Sequence, residues 1–167
     1  KELMQDFTII ANPTLPISQA DYQAQFDFIQ SINSKVTESH EAIIEIREVK
    51  ASLAKYKKLL EDNESIVTEI SVIDSTLSLI ENELYQTKNQ SRQDPLNFPI
   101  RLNNKLAHLS SVVGNGDWAP TDQSYEVKGE LTEKIDVQLG RFKKLEQNQI
   151  SQIFNIEEMR TKLDKKK

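Results

Sequence analysis

Residues 64–84 read ESIVTEISVIDSTLSLIENEL and carry the most regular apolar pattern in the chain. Steps of four and three residues alternate along the stretch, placing apolar side chains at Ile66, Ile70, Ile73, Leu77, Ile80 and Leu84. That spacing puts them on one face of an α-helix and is typical of long helices that pack side by side. Because the stretch contains neither Gly nor Pro, it predicts an uninterrupted helix with one buried stripe.

A similar pattern precedes this stretch and predicts a long first helix over about residues 18–61. Ser18 followed by Asp21 forms a capping box, in which the two residues satisfy free N–H groups at a helix start. Apolar residues then recur at a spacing close to 3.5, at Ile29, Ile32, Val36, Ile43, Ile46, Leu53 and Leu60. Upstream, Pro13 and Pro16 disfavour helix, so residues 1–17 are predicted to be an extended lead-in from a preceding domain.

Two prolines divide the chain after the central stripe. We predict a helix over about residues 64–92 and a break at Pro95 and Pro99, since proline cannot continue a helix interior. A helix over about 100–113 follows and ends at Gly114, which can take a left-handed cap conformation. Thr121 or Asp122 can cap a last helix that we place at about 121–165.

These lengths predict an all-α fold. The two middle segments, taken together, match the first and last helices in length, so three rods of similar length result. We therefore expect a long antiparallel three-helix bundle, up-down-up, over residues 18–167, with its middle rod broken near Pro95–Pro99. Gly129 and Gly140 lie inside the last helix, where close helix approach would offset their low helix propensity.

Composition excludes several classes of function. The chain has 167 residues and a formal net charge of -5, so no overall positive field favours nucleic acid. No apolar run approaches the length of a membrane span, so we expect no membrane insertion. The sequence contains no Cys, which removes disulfides and thiolate chemistry.

No arrangement of residues points to catalysis. Phosphate-binding glycine loops, nucleophile elbows and zinc-protease motifs are all missing from the sequence. His40 and His108 lack the partners at helical spacing that a metal site in a bundle needs. We therefore predict that this chain is not an enzyme and has no catalytic residue, no cofactor and no metal.

The conspicuous polar segments are candidates for contact with a partner. Prolines 95 and 99 break the middle rod, where Leu96, Phe98 and Ile100 can fill the core. The neighbouring polar side chains can bond the freed backbone groups. We expect the break and the 119–124 loop to face one another at one end of the bundle. Our candidate contact residues, drawn from the break and from this loop, are Asn97, Arg101, Asn104, Trp118 and Asp122.

Two features stay open between a structural and a binding role. Trp118 lies in a loop bounded by Gly and Pro, where it either caps the bundle end or is an exposed anchor for a partner. Phe7, Ile9 and Ile10 either pack against the side of the bundle or form the junction with a preceding domain.

Several segments together resemble a known family. Residues 92–106 read RQDPLNFPIRLNNKL and residues 119–124 read APTDQS. With SQAD at 18–21, AQF at 24–26 and HEAI at 40–43, they resemble the C-terminal helical region of secreted bacterial sortilin-like proteins. Those proteins carry BNR-type β-propeller repeats and are often labelled glycosyl hydrolases. The resemblance runs from about Phe7 to Phe142, and its most specific part is PLNFPIRLNNKL.

The resemblance implies an exported protein in which a β-propeller precedes the bundle and is its partner. No residue of a propeller or of a hydrolase site maps onto this chain, so the hydrolase activity is not carried over. We expect a non-catalytic C-terminal accessory or interaction domain of such a protein. The alternative is a stand-alone coiled-coil adapter or oligomerisation module, and the oligomeric state stays open.

Overall fold

The computed structural model describes residues 3–155, and within them all regular secondary structure is helical. Its long helices are α1 (Gln19–Leu59), α2 (Glu64–Leu84), α3 (Leu102–Val113) and α4 (Asp122–Leu145). A short 3₁₀ helix, Asp94–Leu96, lies between α2 and α3, and a π-helical turn, Glu146–Ile150, leads from α4 into the short α5 (Ser151–Asn155). The prediction of an all-α bundle is confirmed.

Contacts between helices give their directions. In α1 and α2, Lys57 Nζ bonds Ser71 Oγ at 2.8 Å and Arg47 Nε bonds Glu81 Oε1 at 2.6 Å, so the two helices are antiparallel. Lys35 of α1 pairs with Asp136 of α4 at 2.8 Å. Nearer the start of both helices, the rings of Phe28 and Tyr125 lie 4.9 Å apart, so α1 and α4 are parallel.

The α2 and α3 helices form the middle rod, since both pack against α1 and against α4. The order along the chain is therefore up-down-up, as predicted. The break lies within the middle rod, and its two halves share one continuous hydrophobic core. Fully buried side chains from all three rods fill this core, among them Ile32, Ile46, Leu53, Ile70, Ile73, Leu77, Ile80, Leu84, Leu106 and Ile135.

Local side-chain caps set the helix starts. Ser18 Oγ accepts from the backbone N–H of Asp21, and an Asp21 carboxylate oxygen accepts from the Ser18 N–H at 2.9 Å, which confirms the capping box. The hydroxyl of Ser18 bonds the same carboxylate, and these bonds lower the pKa of Asp21. Asn63 caps α2 by a single bond, in which its side chain accepts from the Ile66 N–H. Thr121, not Asp122, caps α4 by accepting from the Ser124 N–H.

The prediction that the second helix extends to residue 92 is wrong. The α2 helix ends at Leu84, and Tyr85 has an extended backbone conformation. The apolar stripe stops at the same point, so further helical turns would bury nothing. Instead the Gln86 amide turns inward and donates to Pro99 O at 2.8 Å, which holds the two halves of the rod together.

The last helix differs from its prediction at a single turn. Between Leu145 and Ile150 the apolar spacing widens to five residues, which an α-helix cannot keep on one face. The π turn accommodates the extra residue, and both Ile150 and Ile153 are buried as a result. The rest of the predicted helix, residues 156–165, lies outside the described residues.

Two expectations about glycine are also wrong. Gly114 ends α3 with φ of -77°, so the cap is not left-handed. A Cβ atom added at Gly129 or at Gly140 would meet no heavy atom of the described residues within 4 Å. Close helix approach therefore does not offset the low helix propensity of these two glycines.

The lead-in does not pack against the bundle. Residues 3–12 form no helix, turn or bend, and Phe7, Ile9 and Ile10 are exposed. The first of the two alternatives, that these side chains pack against the side of the bundle, is therefore wrong.

Candidate functional site

A cluster of polar and aromatic side chains lies beside the break in the middle rod. We call it the break cluster, and its members are His40, Arg47, Glu81, Tyr85 and Asn103. It forms because α2 ends one turn beyond Glu81 while α3 begins with Asn103 in its first turn. Tyr85 is the C-cap residue of α2. His40 and Arg47 lie about two turns apart on α1, which runs past both helix ends.

Asn103 links α3 to α1 through a buried amide. Its nitrogen lies 2.8 Å from His40 Nε2, and its oxygen accepts from the Asn104 N–H at 2.8 Å. Since the oxygen already accepts that bond and an amide nitrogen can only donate, Asn103 is the donor to His40. The amide of Asn103 is thus satisfied on both sides, as a buried polar group must be.

Glu81 is the most buried charge in the cluster, with a residue exposure of 5%. Its two oxygens accept from Arg47 Nε at 2.6 Å and from Lys50 Nζ at 3.3 Å. The Arg47 guanidinium also lies 5.2 Å from the ring centre of Tyr85, and the Tyr85 ring meets the His40 ring edge-on at 6.4 Å. Charge pairing and ring contacts therefore join α1 to the last turn of α2.

The segment between the rod halves is held by its own turn. Asp94 accepts hydrogen bonds from the backbone N–H groups of Gln90 and Ser91 and from the Ser91 hydroxyl. Of these the Gln90 bond is the largest cause of a lowered pKa at Asp94, because each bond favours the charged carboxylate. This turn positions Asn97 at the end of the 3₁₀ helix.

The break cluster borders a shallow cavity of about 270 Å³. It is lined by His40, Ile43, Ile44, Arg47 and Tyr85. Among residues 3–155, no group of three or more His, Cys, Asp or Glu is placed to hold a metal ion. Over the same residues, no helix has the length and apolar character needed to cross a membrane.

A second polar centre holds the loop between α3 and α4. Gln25 Nε2 on α1 lies 2.9 Å from Val113 O, 2.5 Å from Gly116 O and 3.2 Å from Trp118 O. One amide group therefore fixes three backbone carbonyls of this loop against the first turns of α1. The indole of Trp118 lies over Gly116, where a Cβ atom would overlap it, and remains 62% exposed.

The five residues predicted to contact a partner do not form one site. Asn97 and Asn104 are exposed at the break, and Arg101 is half-buried there as the N-cap of α3. Trp118 lies at the start of the bundle, where its carbonyl accepts from Gln25, and Asp122 is the first residue of α4. The break instead lies beside His40, fifteen residues and about 22 Å further along α1. The expectation that the break and the loop share one end is wrong.

The break motif also packs differently from its prediction. Leu96 is 87% exposed and Ile100 is exposed as well, so neither fills the core. Phe98 is half-buried beneath Lys88, whose Nζ lies 5.7 Å from the ring centre. The freed backbone groups are bonded mainly by Gln86 and Asp94, which sequence reasoning did not select.

Comparisons with known protein families, with curated proteins and with solved structures find no match to this chain. The resemblance to sortilin-like proteins therefore stays an expectation from the residues that carry it.

Proposed function

We propose that this chain is a non-catalytic C-terminal accessory domain of an exported β-propeller protein, and that it contacts the rest of that protein through one end of the bundle. We call this end of the bundle the near end. It consists of the lead-in (residues 3–17), residues 19–30 of α1, residues 109–113 of α3, and residues 114–128, which form the following loop and the start of α4. The resemblance supplies the propeller and the exported location. The structure contributes the distribution of exposed apolar side chains.

That distribution is the observation on which the proposal depends. Most of the large apolar side chains exposed in the described residues belong to the near end, namely Leu3, Met4, Phe7, Ile9, Ile10, Phe26, Val112, Trp118, Tyr125 and Val127. Exposed apolar residues concentrated in one region are typical of a surface that contacts another polypeptide. Tyr125 packs edge-on against Phe28 at 4.9 Å, and the Gln25 bonds hold Trp118 in place, so part of this surface is preorganised.

Footprinting with hydroxyl radicals tests the proposal. The 167-residue chain alone is compared with the native polypeptide isolated from its source, and oxidation is read by mass spectrometry. We expect Trp118 and Tyr125 to be oxidised several-fold more slowly in the native polypeptide. Leu79 is the matched control, because it is 60% exposed against 62% for Trp118 and lies on α2 outside the near end. Equal oxidation of Trp118 in both samples would contradict the proposal.

A second candidate function is a stand-alone coiled-coil adapter or oligomerisation module. One observation favours it: Val72 and Leu79, one heptad apart on α2, are both exposed. A partner helix could cover this stripe. Sedimentation equilibrium of the 167-residue chain tests whether it is an oligomerisation module, because a folded monomer at micromolar concentration counts against that function.

A further inference from the structure

The first part of the lead-in, residues 3–11, has a backbone with no hydrogen-bond partner among the described residues. Residues 3–12 contain no helix, turn or bend, so the chain follows an extended course. In the described part of the chain, no hydrogen bond involves residues 3–11, and the first one appears where Leu15 N–H donates to Asn12 O at 3.2 Å. The backbone donors and acceptors of this segment are therefore free along both edges.

The side chains of the segment are those of a β-strand. Residues 7–10 read FTII, with one aromatic and three β-branched residues in succession. In an extended chain Phe7 and Ile9 point to one side and Thr8 and Ile10 to the other. All three apolar members are exposed, and residues 7–12 contain no charged residue.

The segment has a defined end. Asn12 Oδ1 accepts from both the N–H and the hydroxyl of Thr14, at 3.0 Å and 2.8 Å, and closes a turn around Pro13. Proline lacks the N–H group that a sheet ladder needs, so pairing cannot continue past this point. The chain then enters the capping box of α1 within a few residues.

A groove between helices would cover such side chains on one side and leave the backbone groups unpaired. An open edge of a β-sheet pairs the backbone along its length and offers a neighbour for each side chain. We propose that residues 7–11 add as an edge strand to a β-sheet in the part of the native polypeptide outside this bundle. This inference rests on the proposed function, which supplies that part of the polypeptide.

Residue-resolved amide hydrogen exchange tests the inference, because an edge strand directs alternate N–H groups at its neighbour. In the native polypeptide we expect two alternate amides among residues 7–10 to exchange on the order of 100-fold more slowly than the other two. In the 167-residue chain alone, all four should exchange rapidly. The variants Thr8→Pro and Ile9→Pro are a matched pair, since one removes an amide that faces the sheet and the other an amide that faces away. Only the variant that removes a sheet-facing amide should restore rapid exchange at the other sheet-facing amide.

Three outcomes of the exchange experiment would overturn the inference. Rapid exchange of all four amides in the native polypeptide shows no strand pairing, while leaving the accessory-domain proposal intact. Uniform slowing of all four shows burial without an edge strand. Alternation in the 167-residue chain, together with a dimer, shows that the sheet is formed with a second copy. A native polypeptide of 19.2 kDa would instead remove the proposed function and this inference together.

Discussion

Replacing Gly129 and Gly140 by Ala should stabilise the bundle. Both glycines lie inside α4, and a Cβ atom at either position would meet no heavy atom of the described residues within 4 Å. Each replacement therefore adds helix propensity and creates no clash. The expected gain is about 1 kcal/mol per site in the free energy of unfolding.

The two gains should add. The sites are eleven residues apart on one helix, which separates them by about 16 Å, and distant sites without shared neighbours are usually additive. The double variant should therefore gain about 2 kcal/mol, or about 4–8 °C in Tm for a chain of this size. Urea unfolding followed by circular dichroism measures the free energy, and an unchanged m-value shows that the gain is in stability.

Gly116→Ala is the control with the opposite sign. A Cβ atom at Gly116 would overlap Trp118 Nε1, so the indole must move and we expect a loss of stability. A gain of less than about 0.5 kcal/mol in the double variant would refute the reasoning, because it would mean that the glycine face of α4 is in contact with something.

Three further outcomes follow from individual side chains. Ser39→Ala should stabilise the bundle by about 1 kcal/mol more than Ser34→Ala does, measured by urea unfolding. The fully buried Ser39 hydroxyl has no hydrogen-bond partner among residues 3–155, whereas that of Ser34 bonds Gln30 O at 3.0 Å. Burial and the nearby Glu146 carboxylate raise the pKa of the Glu45 carboxyl group above its value in the unfolded chain. As pH rises, the unfolded chain therefore loses this proton first, and the stability of the folded state falls until pH has passed the pKa of Glu45 in the folded state. Glu45→Gln should accordingly raise Tm at pH 7, by a gain in stability of at most about 0.5 kcal/mol, and have little effect on Tm at pH 4. Gln25→Leu should speed amide exchange in residues 114–120 while the exchange of α2 amides is unchanged, because it removes the bonds to three loop carbonyls.

Local patterns predicted the helices well. The stripe of residues 64–84 defines α2 because each of its steps keeps apolar side chains on one face, and the capping box at Ser18 defines where α1 begins. Both signals lie within a few residues of the feature they determine. The π turn also had such a signal, the five-residue step from Leu145 to Ile150, and would have been predicted had that step been weighed.

Contacts between distant residues could not be predicted in the same way. Gln25 bonds carbonyls about ninety residues away, and polar residues of its kind occur throughout the surface of this chain. The partners of Glu81 on α1 depend on helix register, which a single stripe does not give. The position of the break has a related cause, because it depends on how far α2 and α3 each reach along α1, which the apolar stripes alone do not give.

The central claim is that this bundle is one domain of a larger exported protein. The most direct measurement is an immunoblot of fractionated source cells, using an antibody raised against the bundle. We predict a band several-fold larger than 19.2 kDa in the exported fraction. A 19.2 kDa band confined to the cytosol would contradict the claim and leave the stand-alone adapter as the better account.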